Sequence, residues 1–166
     1  KFVRRGPIEI DFEHKQPIGY AIIVNPNSKK IFAYQRSQSG GDQRLHNKWS
    51  WGIGGHIERS EEESQDPIYA SLIREIEEEV DIEGEVKSVK VLGYINDDSD
   101  EVGRVHFGIL YLIETDSSEV KPKDAEIKTG SLKSIGELET ICASDDCKVE
   151  GWSNIALEPL KKYLEK

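Results

Sequence analysis

Three glutamates in the stretch REIEEEV, Glu75, Glu78 and Glu79, have the spacing that places them on one side of a helix. Like charges three or four residues apart repel and destabilise a helix by roughly 0.2–0.5 kcal/mol per pair. Carboxylate oxygens with no His or Cys among them favour Mg²⁺ or Mn²⁺ over Zn²⁺. The stretch therefore suggests a site for a hard cation, although such a run is usually only a solvated acidic face.

Paired glycines, Gly54 and Gly55, precede these glutamates in the segment GIGGHIERSE. Glycine lets the backbone approach a ligand closely because it has no side chain. A Mg²⁺ ion held by a few carboxylates usually bridges them to the phosphates of a substrate. The glycine pair and the glutamates together therefore indicate a phosphate-binding metal site, in which the ion relieves the repulsion between the carboxylates.

The two segments together resemble the Nudix box, G-x5-E-x7-R-E-U-x-E-E-x-G-U, in which U is aliphatic. Gly55 matches the first glycine, Glu61 the first glutamate and Ile82 the last aliphatic residue. The centre of the box is matched by residues 74–79. Twelve residues separate Glu61 from Arg74 where the pattern has seven, which indicates an insertion of five residues before the helix.

The insertion makes the first glutamate of the box ambiguous. Asp66 is separated from Arg74 by the expected seven residues, whereas Glu61 has the expected distance from Gly55. We expect Asp66 to cap the helix, so Glu61 is favoured for the chemical role. A second departure is mild: Asp81 replaces the last glycine of the box, and Asp tolerates the left-handed conformation that ends a helix better than most residues do.

The resemblance implies an α/β fold, specifically a Nudix-type α/β/α sandwich with a mixed β-sheet. It also implies a Mg²⁺- or Mn²⁺-dependent pyrophosphohydrolase that cleaves the diphosphate of a nucleoside diphosphate linked to a moiety X. The implied cation ligands are Glu75, Glu78, Glu79 and Gly55. The implied catalytic residues are Glu78, Glu79 and Glu61. The general base varies within the family, and the candidates here are a box glutamate, Glu101 and Glu126. The implied substrate contacts are Arg36, Gly54 and Arg74.

For several of these residues a structural role competes with a functional one. Arg36 is evenly balanced between a phosphate contact and an ordinary surface residue, and Arg74 beside the glutamates is more often a structural ion-pair partner. His56 and His106 are interpreted as structural or substrate-lining residues rather than as metal ligands. Four aromatic residues are candidates for stacking on a base, but most are expected in the core: Phe32, Tyr34, Trp49 and Trp51.

The elements that would position the site can be predicted from hydrophobic patterning. A hairpin is expected from Ile18–Val24 and Lys30–Gln35, followed by a short strand at WSWGI that the glycine pair interrupts. The acidic helix begins after Asp66, with Pro67 in its first turn. Its apolar stripe is predicted to face the core: Tyr69, Leu72, Ile73, Ile76 and Val80.

Two strands follow the acidic helix, VKSVKVLGYI and RVHFGILYLIET, joined by an acidic loop at residues 96–103. The second has apolar residues at both odd and even positions, which predicts a central strand covered on both faces. The segment EIKTGSLKSIGEL predicts a short strand and then a helix near Ile135. The final segment, GWSNIALEPLKKYLEK, predicts an amphipathic helix capped by Ser153.

The length of 166 residues suits one domain, expected to span residues 1–166. The net charge of −10, from 32 acidic and 22 basic residues, argues against a nucleic-acid polymer as partner. No apolar run approaches the ~18 residues that a membrane span needs, so no membrane partner is expected. Cys142 and Cys147 are expected to be free thiols in the cytoplasm. A homodimer is left open, and the lack of methionine suggests that residues precede Lys1.

Two other functions are compatible with this pattern. Some proteins that share the fold isomerise an isoprenoid diphosphate with a cysteine near the glycine pair, but Cys142 and Cys147 lie far downstream. The second alternative is a module that senses a nucleotide or binds a partner without catalysis. Such modules usually lose box carboxylates, and this chain retains Glu75, Glu78 and Glu79.

Overall fold

A six-stranded mixed sheet organises the computed structural model, which describes residues 2–39 and 43–166. The strands are β1 Gln16–Asn25, β2 Lys30–Arg36, β3 Trp49–Ser50, β4 Val80–Ile82, β5 Val86–Ile95, β6 His106–Thr115, β7 Val120–Pro122 and β8 Ile127–Ser134. The helices are α1 Arg5–Ile8, α2 Pro67–Glu79, α3 Glu101–Val105, α4 Ile135–Ala143 and α5 Gly151–Leu164. The order β3-β2-β1-β6-β5, with β8 also paired to β2, makes the main sheet, and β4 and β7 pair separately.

The predicted hairpin of β1 and β2 is confirmed, but its two strands pair only near the turn, at Val24 with Ile31 and at Asn25 with Lys30. Residues 49–56 lie against the part of the two strands that has diverged. Ile53 exchanges backbone hydrogen bonds with Ala21 at 2.7 and 2.8 Å, and a bridge joins His56 to Ile18. This pairing holds the glycine pair at the end of the sheet, where the main cavity opens.

Strand β6 is central, as its double apolar pattern predicted. It runs parallel to β1 and antiparallel to β5. Leu110 and Leu112 pack on one face with residues of α4 and α5, and Ile109 and Ile113 pack on the other face with residues of α2. Helices therefore cover both faces of the mixed sheet, and the predicted α/β/α fold class is confirmed.

Helix α2 begins as predicted, because the Asp66 carboxylate accepts a hydrogen bond from the backbone N–H of Tyr69 at 2.9 Å. Leu72, Ile76 and Val80 from the predicted stripe are buried. Tyr69 was assigned to the same stripe, but 39% of it is exposed, so this prediction is wrong. Tyr69 lies in the first turn of α2, and its ring is 6.3 Å from the ring of Tyr111.

Two local predictions are wrong. The acidic loop at residues 96–103 contains the start of α3, whose first turn is capped by the Asp100 carboxylate through the Gly103 N–H at 2.7 Å. Helix α5 is preceded by Glu150 and not by Ser153. Ser153 is fully buried, where its hydroxyl contacts the Tyr20 hydroxyl at 2.8 Å and accepts from the Trp51 N–H at 3.0 Å. Ser153 therefore ties α5 to the sheet instead of capping the helix.

Three of the four aromatic residues considered for base stacking are buried in the core, namely Phe32, Tyr34 and Trp51. Trp49 is only partly buried. Cys142 and Cys147 are free. Among the residues described, no helix has both the length and the apolar character needed to cross a membrane.

Candidate active site

A cavity of about 510 Å³ opens beside the glycine pair, within the 300–1,000 Å³ range that is typical of small-molecule sites. Box residues form one part of the lining, here called the first wall, and residues from α1, α3, β6 and the start of α5 form another, the second wall. The lining residues that could bind a ligand or take part in a reaction include Arg5, Arg36, Gly54, Gly55, His56, Glu75, Glu78, Glu79, His106, Asp124, Glu126 and Glu150. Seven residues proposed from the sequence therefore meet in one cavity: Arg36, Gly54, Gly55, Glu75, Glu78, Glu79 and Glu126.

Arg74 joins Glu61 to the glutamates of α2 within the box. Its Nε donates to Glu61 at 2.9 Å, and its Nη1 donates to Glu75 at 2.8 Å and to Glu78 at 3.2 Å. Its Nη2 donates to the backbone carbonyl of His56 at 3.0 Å. Since every guanidinium nitrogen of Arg74 contacts the protein, the structure favours the structural role that was weighed against substrate contact.

Glu61 lies within this cluster although the insertion separates it from the helix in sequence. Its side chain is nearly buried, and its second oxygen accepts from the Glu58 backbone N–H at 2.7 Å. A short 3-10 turn, Arg59–Glu61, presents it toward Arg74. Asp66, by contrast, caps α2 and contacts none of these groups in the hydrogen bonds that the described residues form. The structure thus places Glu61, and not Asp66, beside the carboxylates of α2.

Gly55 lies so close to the Glu75 carboxylate that this carboxylate would have to move to admit a side chain at position 55. A Cβ built on Gly55 would lie 1.9 Å from Glu75 Oε1. Gly54 is restricted in a different way, since a Cβ there would lie 2.3 Å from the backbone oxygen of Gly19. Gly55 therefore brings the box backbone against a carboxylate, and Gly54 allows the strands to approach each other.

Glu79 is the exceptional carboxylate of the cavity. Its Oε2 is buried and has no hydrogen-bond partner among the described residues. Burial raises the pKa of Glu79 from 4.5 to about 8, and the negative charges of Glu75, Glu126 and Asp124 act in the same direction against the positive charge of Arg36. Burial also raises the pKa of Glu75, although Arg74 opposes it. In the absence of a cation, Glu79 is thus a buried acid without compensation.

The remaining predicted residues differ in position. Arg36 lines the cavity, and its Nε donates to the Glu150 carboxylate at 2.5 Å, with 16% of its side chain exposed. Glu126 also lines the cavity. Glu101 is exposed at the start of α3 and is not among the described residues that line it. Of the two loop candidates for the general base, only Glu126 is therefore placed to face a substrate.

The chemistry of the donor set fits a hard divalent cation. It consists of carboxylates together with the backbone at Gly55, and it includes the unsatisfied oxygen of Glu79. A buried charge without a partner is strongly unfavourable, and a cation would remove this cost. Arg74 competes for Glu75 and Glu78, so an ion bound there has to share these carboxylates with the guanidinium or displace it.

Sequence reasoning missed Glu150 and Glu9, and it did not consider Asp124. Glu150 precedes α5, 114 residues after Arg36, so no local pattern pointed to their contact. Glu9 follows the short helix α1 and lies near His56 and His106, with carboxylate-to-ring-nitrogen distances of 3.2 and 3.8 Å. A clue was present in these two histidines, but their partner is contributed by a segment that is distant in sequence.

Comparison with known proteins agrees with this arrangement. The family model for the NUDIX domain matches residues 15–145. Protein YmaB of Bacillus subtilis (strain 168) is 36% identical over 165 residues, which cover 96% of this chain and 77% of that protein.

Two solved structures are similar over most of this chain. Tm1382, described as a candidate Nudix hydrolase, has a TM-score of 0.77 and 29% identity, covering 98% of this chain and 79% of that one. A bifunctional NMN adenylyltransferase/ADP ribose pyrophosphatase from Francisella tularensis, complexed with AMP and a Mn ion, has a TM-score of 0.59 and 19% identity. That match covers 88% of this chain and 42% of the Francisella chain, and it shows likeness of fold alone.

The fold and the carboxylate-lined cavity thus define a class, the Nudix proteins, and the resemblance inferred from the box is confirmed. The chain belongs to the NUDIX family. It is a Nudix hydrolase, an enzyme that in general acts on a nucleoside diphosphate linked to another moiety.

Proposed function

We propose that this Nudix hydrolase is a Mg²⁺- or Mn²⁺-dependent pyrophosphohydrolase that cleaves the diphosphate of a nucleoside diphosphate linked to X. The observation that carries the proposal is the buried, unsatisfied Glu79 carboxylate in a cavity that Arg36 also lines. An acid in this setting gains most from a divalent cation, and a cavity with an arginine suits the phosphates that such a cation accompanies.

Glu75, Glu78, Glu79 and the Gly55 carbonyl would hold the cation. When bound, the cation would supply charge neutralisation on the diphosphate and a more acidic water molecule. Glu79 is proposed as the principal ligand because its oxygen has no other partner. Glu61 is a positioning residue, since it holds Arg74 and thereby fixes the orientation of Glu75 and Glu78.

Arg36 and Glu126 are proposed to act on the substrate and on water. The Glu150 carboxylate accepts a hydrogen bond from Arg36 Nε and so holds the guanidinium beside the cavity. The positive charge would therefore be oriented before a phosphate binds. Glu126 is proposed as the general base because it is the loop candidate that lines the cavity. A carboxylate there would accept the proton from the attacking water while the diphosphate bond breaks.

ADP-ribose, a nucleoside diphosphate linked to a sugar, is a suitable first substrate to test. The Francisella protein is named as an ADP ribose pyrophosphatase and was crystallised with AMP and a Mn ion. A cavity of about 510 Å³ accommodates a nucleotide-sized ligand in part, with the remainder exposed at its mouth. The expected location is the cytoplasm, which the free thiols favour. Residues 1–166 are expected to act as one domain, which the shared core favours.

The deciding experiment is a panel of diphosphates assayed with Mg²⁺ and with Mn²⁺, with products identified by mass. The panel contains oxidised nucleotides, nucleotide sugars, dinucleoside polyphosphates and ADP-ribose. We expect cleavage within the diphosphate of at least one class, abolished by EDTA and restored by either ion. Binding of nucleotides without turnover on any member would instead support the sensing module.

A further inference from the structure

Three side chains, Glu9, His56 and His106, converge at the place where the two histidines line the cavity. Glu9 follows α1, His56 follows the glycine pair, and His106 is the first residue of β6. His56 Nε2 lies 3.1 Å from His106 Nε2 and 3.2 Å from Glu9 Oε1, and His106 Nε2 lies 3.8 Å from Glu9 Oε1. Glu9 precedes residues 15–145, the range that the family model matches. Glu9 and His106 therefore lie outside the box, and His56 follows its first glycine, Gly55, directly.

The hydrogen bonds of His106 fix which of its nitrogens is available. Its Nδ1 lies 2.8 Å from the carbonyl oxygen of Val102, which can only accept, so Nδ1 carries the proton. In the neutral ring, Nε2 then has its lone pair directed to His56, and the Gln16 amide lies 3.4 Å away on the same side. A backbone carbonyl that holds the second ring nitrogen is the usual arrangement of a metal-binding histidine.

The spacing of the three groups matches a coordination sphere. An ion with bonds of about 2.0–2.1 Å in tetrahedral geometry separates its ligand atoms by roughly 3.3–3.4 Å, and in octahedral geometry by roughly 2.9–3.0 Å. The observed separations of 3.1, 3.2 and 3.8 Å surround the tetrahedral value. We propose that Glu9, His56 and His106 bind a divalent transition-metal ion such as Zn²⁺, at a site separate from the box carboxylates.

The donor types select this class of ion. Two imidazoles and one carboxylate suit Zn²⁺ and its neighbours, whereas Mg²⁺ prefers oxygen ligands. All three side chains are largely shielded, with 26% of His56, 7% of His106 and 19% of Glu9 exposed. Because both imidazoles line the cavity, the fourth coordination position would open toward it and would take water or an oxygen atom of a bound phosphate.

Two arginines contact Glu9, and they have different consequences for the site. Arg44 Nη2 donates to Oε2 at 2.8 Å, the oxygen that faces away from the histidines in these contacts, and it would remain as an outer support for the ligand. Arg5 Nε donates to Oε1 at 3.2 Å and would have to leave when an ion binds there. The Arg5 side chain is 63% exposed, so it can turn into solvent without leaving a buried charge behind.

Co²⁺ titration tests the proposal, because four-coordinate Co²⁺ absorbs visibly and Zn²⁺ displaces it without a signal. The titration is done with the full chain in millimolar Mg²⁺, which occupies oxygen sites. We expect one equivalent of Co²⁺ to give a tetrahedral spectrum that Zn²⁺ removes. Affinity should fall at least about tenfold in Glu9→Gln, His56→Gln and His106→Asn. The last variant retains an N–H donor toward Val102, which protects the fold.

Two further variants give the comparison its meaning. His14→Gln removes a histidine from the same N-terminal segment, where its Nδ1 lies 3.0 Å from the Asp11 carboxylate, and this variant should bind Co²⁺ as the wild type does. Glu79→Gln should also retain the Co²⁺ spectrum, even when it loses hydrolysis. The proposal is overturned if wild-type protein gives no tetrahedral spectrum, if Glu79→Gln alone removes it, or if the folded His56→Gln variant binds Co²⁺ with unchanged affinity.

Discussion

The two walls of the cavity solve the problem of buried charge in different ways. On the wall of α2, Arg74 donates to Glu61, Glu75 and Glu78, whereas Glu79 has a buried oxygen without a hydrogen-bond partner among the described residues. On the second wall, His56 and His106 lie against Glu9, which is bound by two arginines, so each charge already has a neighbour. The first wall therefore gains most from an added hard cation. The second is complete without one and accepts a softer cation only by exchange.

The largest effect expected from this difference is on turnover. Glu79→Gln and Glu78→Gln should each lower kcat at least ~10²-fold with Mg²⁺, since each weakens the proposed cation site. Glu77→Gln is the matched control, because Glu77 is an exposed glutamate of the same helix that does not line the cavity. Steady-state kinetics on the best substrate of the panel measure all three. Wild-type turnover in Glu79→Gln would refute the assignment of the catalytic wall.

The second prediction separates the two loop carboxylates. Glu126→Gln should lower kcat at least about tenfold, because a general base in the cavity would be lost. Glu101→Gln should leave kcat unchanged, because Glu101 is exposed and outside the described lining of the cavity. Steady-state kinetics on the best substrate of the panel measure both variants. Equal activity of the two variants would return the base to the box glutamates.

The third prediction concerns the neighbours of Arg74. Glu61→Gln should lower kcat by about tenfold, because a guanidinium released from Glu61 is free to tighten on Glu75 and Glu78 and misplace them. Asp66→Asn should be almost silent in kcat, and Asp66→Ala should reduce stability by roughly 1 kcal/mol through loss of the cap. Kinetics and thermal unfolding of the three variants decide this. A larger kinetic effect at Asp66 than at Glu61 would require the box to be realigned.

Much of the architecture was predictable because it depends on local patterning. The hairpin, α2 with its Asp66 cap, central β6 and the final helix all follow from alternation or from a helical stripe in a short window. The strands β4 and β7 were not predicted, since three residues each give no periodic signal. Ser153 was mistaken for a cap because its polar side chain precedes an apolar run, while its actual partners, Tyr20 and Trp51, lie over 100 residues away.

The site divides in the same way. The box residues could be proposed from sequence because one short helix and one turn carry them, and the resemblance named their roles. The sequence did not predict that Glu79 differs from the other box glutamates, because the lack of a partner for its buried oxygen depends on the folded structure around it. It also did not predict that Glu150, which precedes α5, holds Arg36. His56 and His106 were interpreted as structural or substrate-lining residues from their strand and strand-end contexts, and Glu9, the third member of their group, belongs to a distant part of the chain.

The smallest expected effect is on stability, and its sign distinguishes the two walls most directly. The pKa of Glu79 is raised from 4.5 to about 8, so in EDTA the folded protein retains a proton that the unfolded chain has lost, and wild-type stability falls as the pH rises from 4.5 to 8. Glu79→Gln lacks this loss. Its melting temperature should exceed that of wild type by about 3 °C or more above pH 8 and by nothing near pH 4.5, with Glu77→Gln as the pH-independent control. Millimolar Mg²⁺ should reverse the order at pH 8, because it binds the folded wild type more tightly than the variant. If the difference in melting temperature between wild type and Glu79→Gln depends on neither pH nor Mg²⁺, the Glu79 carboxylate has a partner in solution. The first wall would then have its charges paired, as the second wall does.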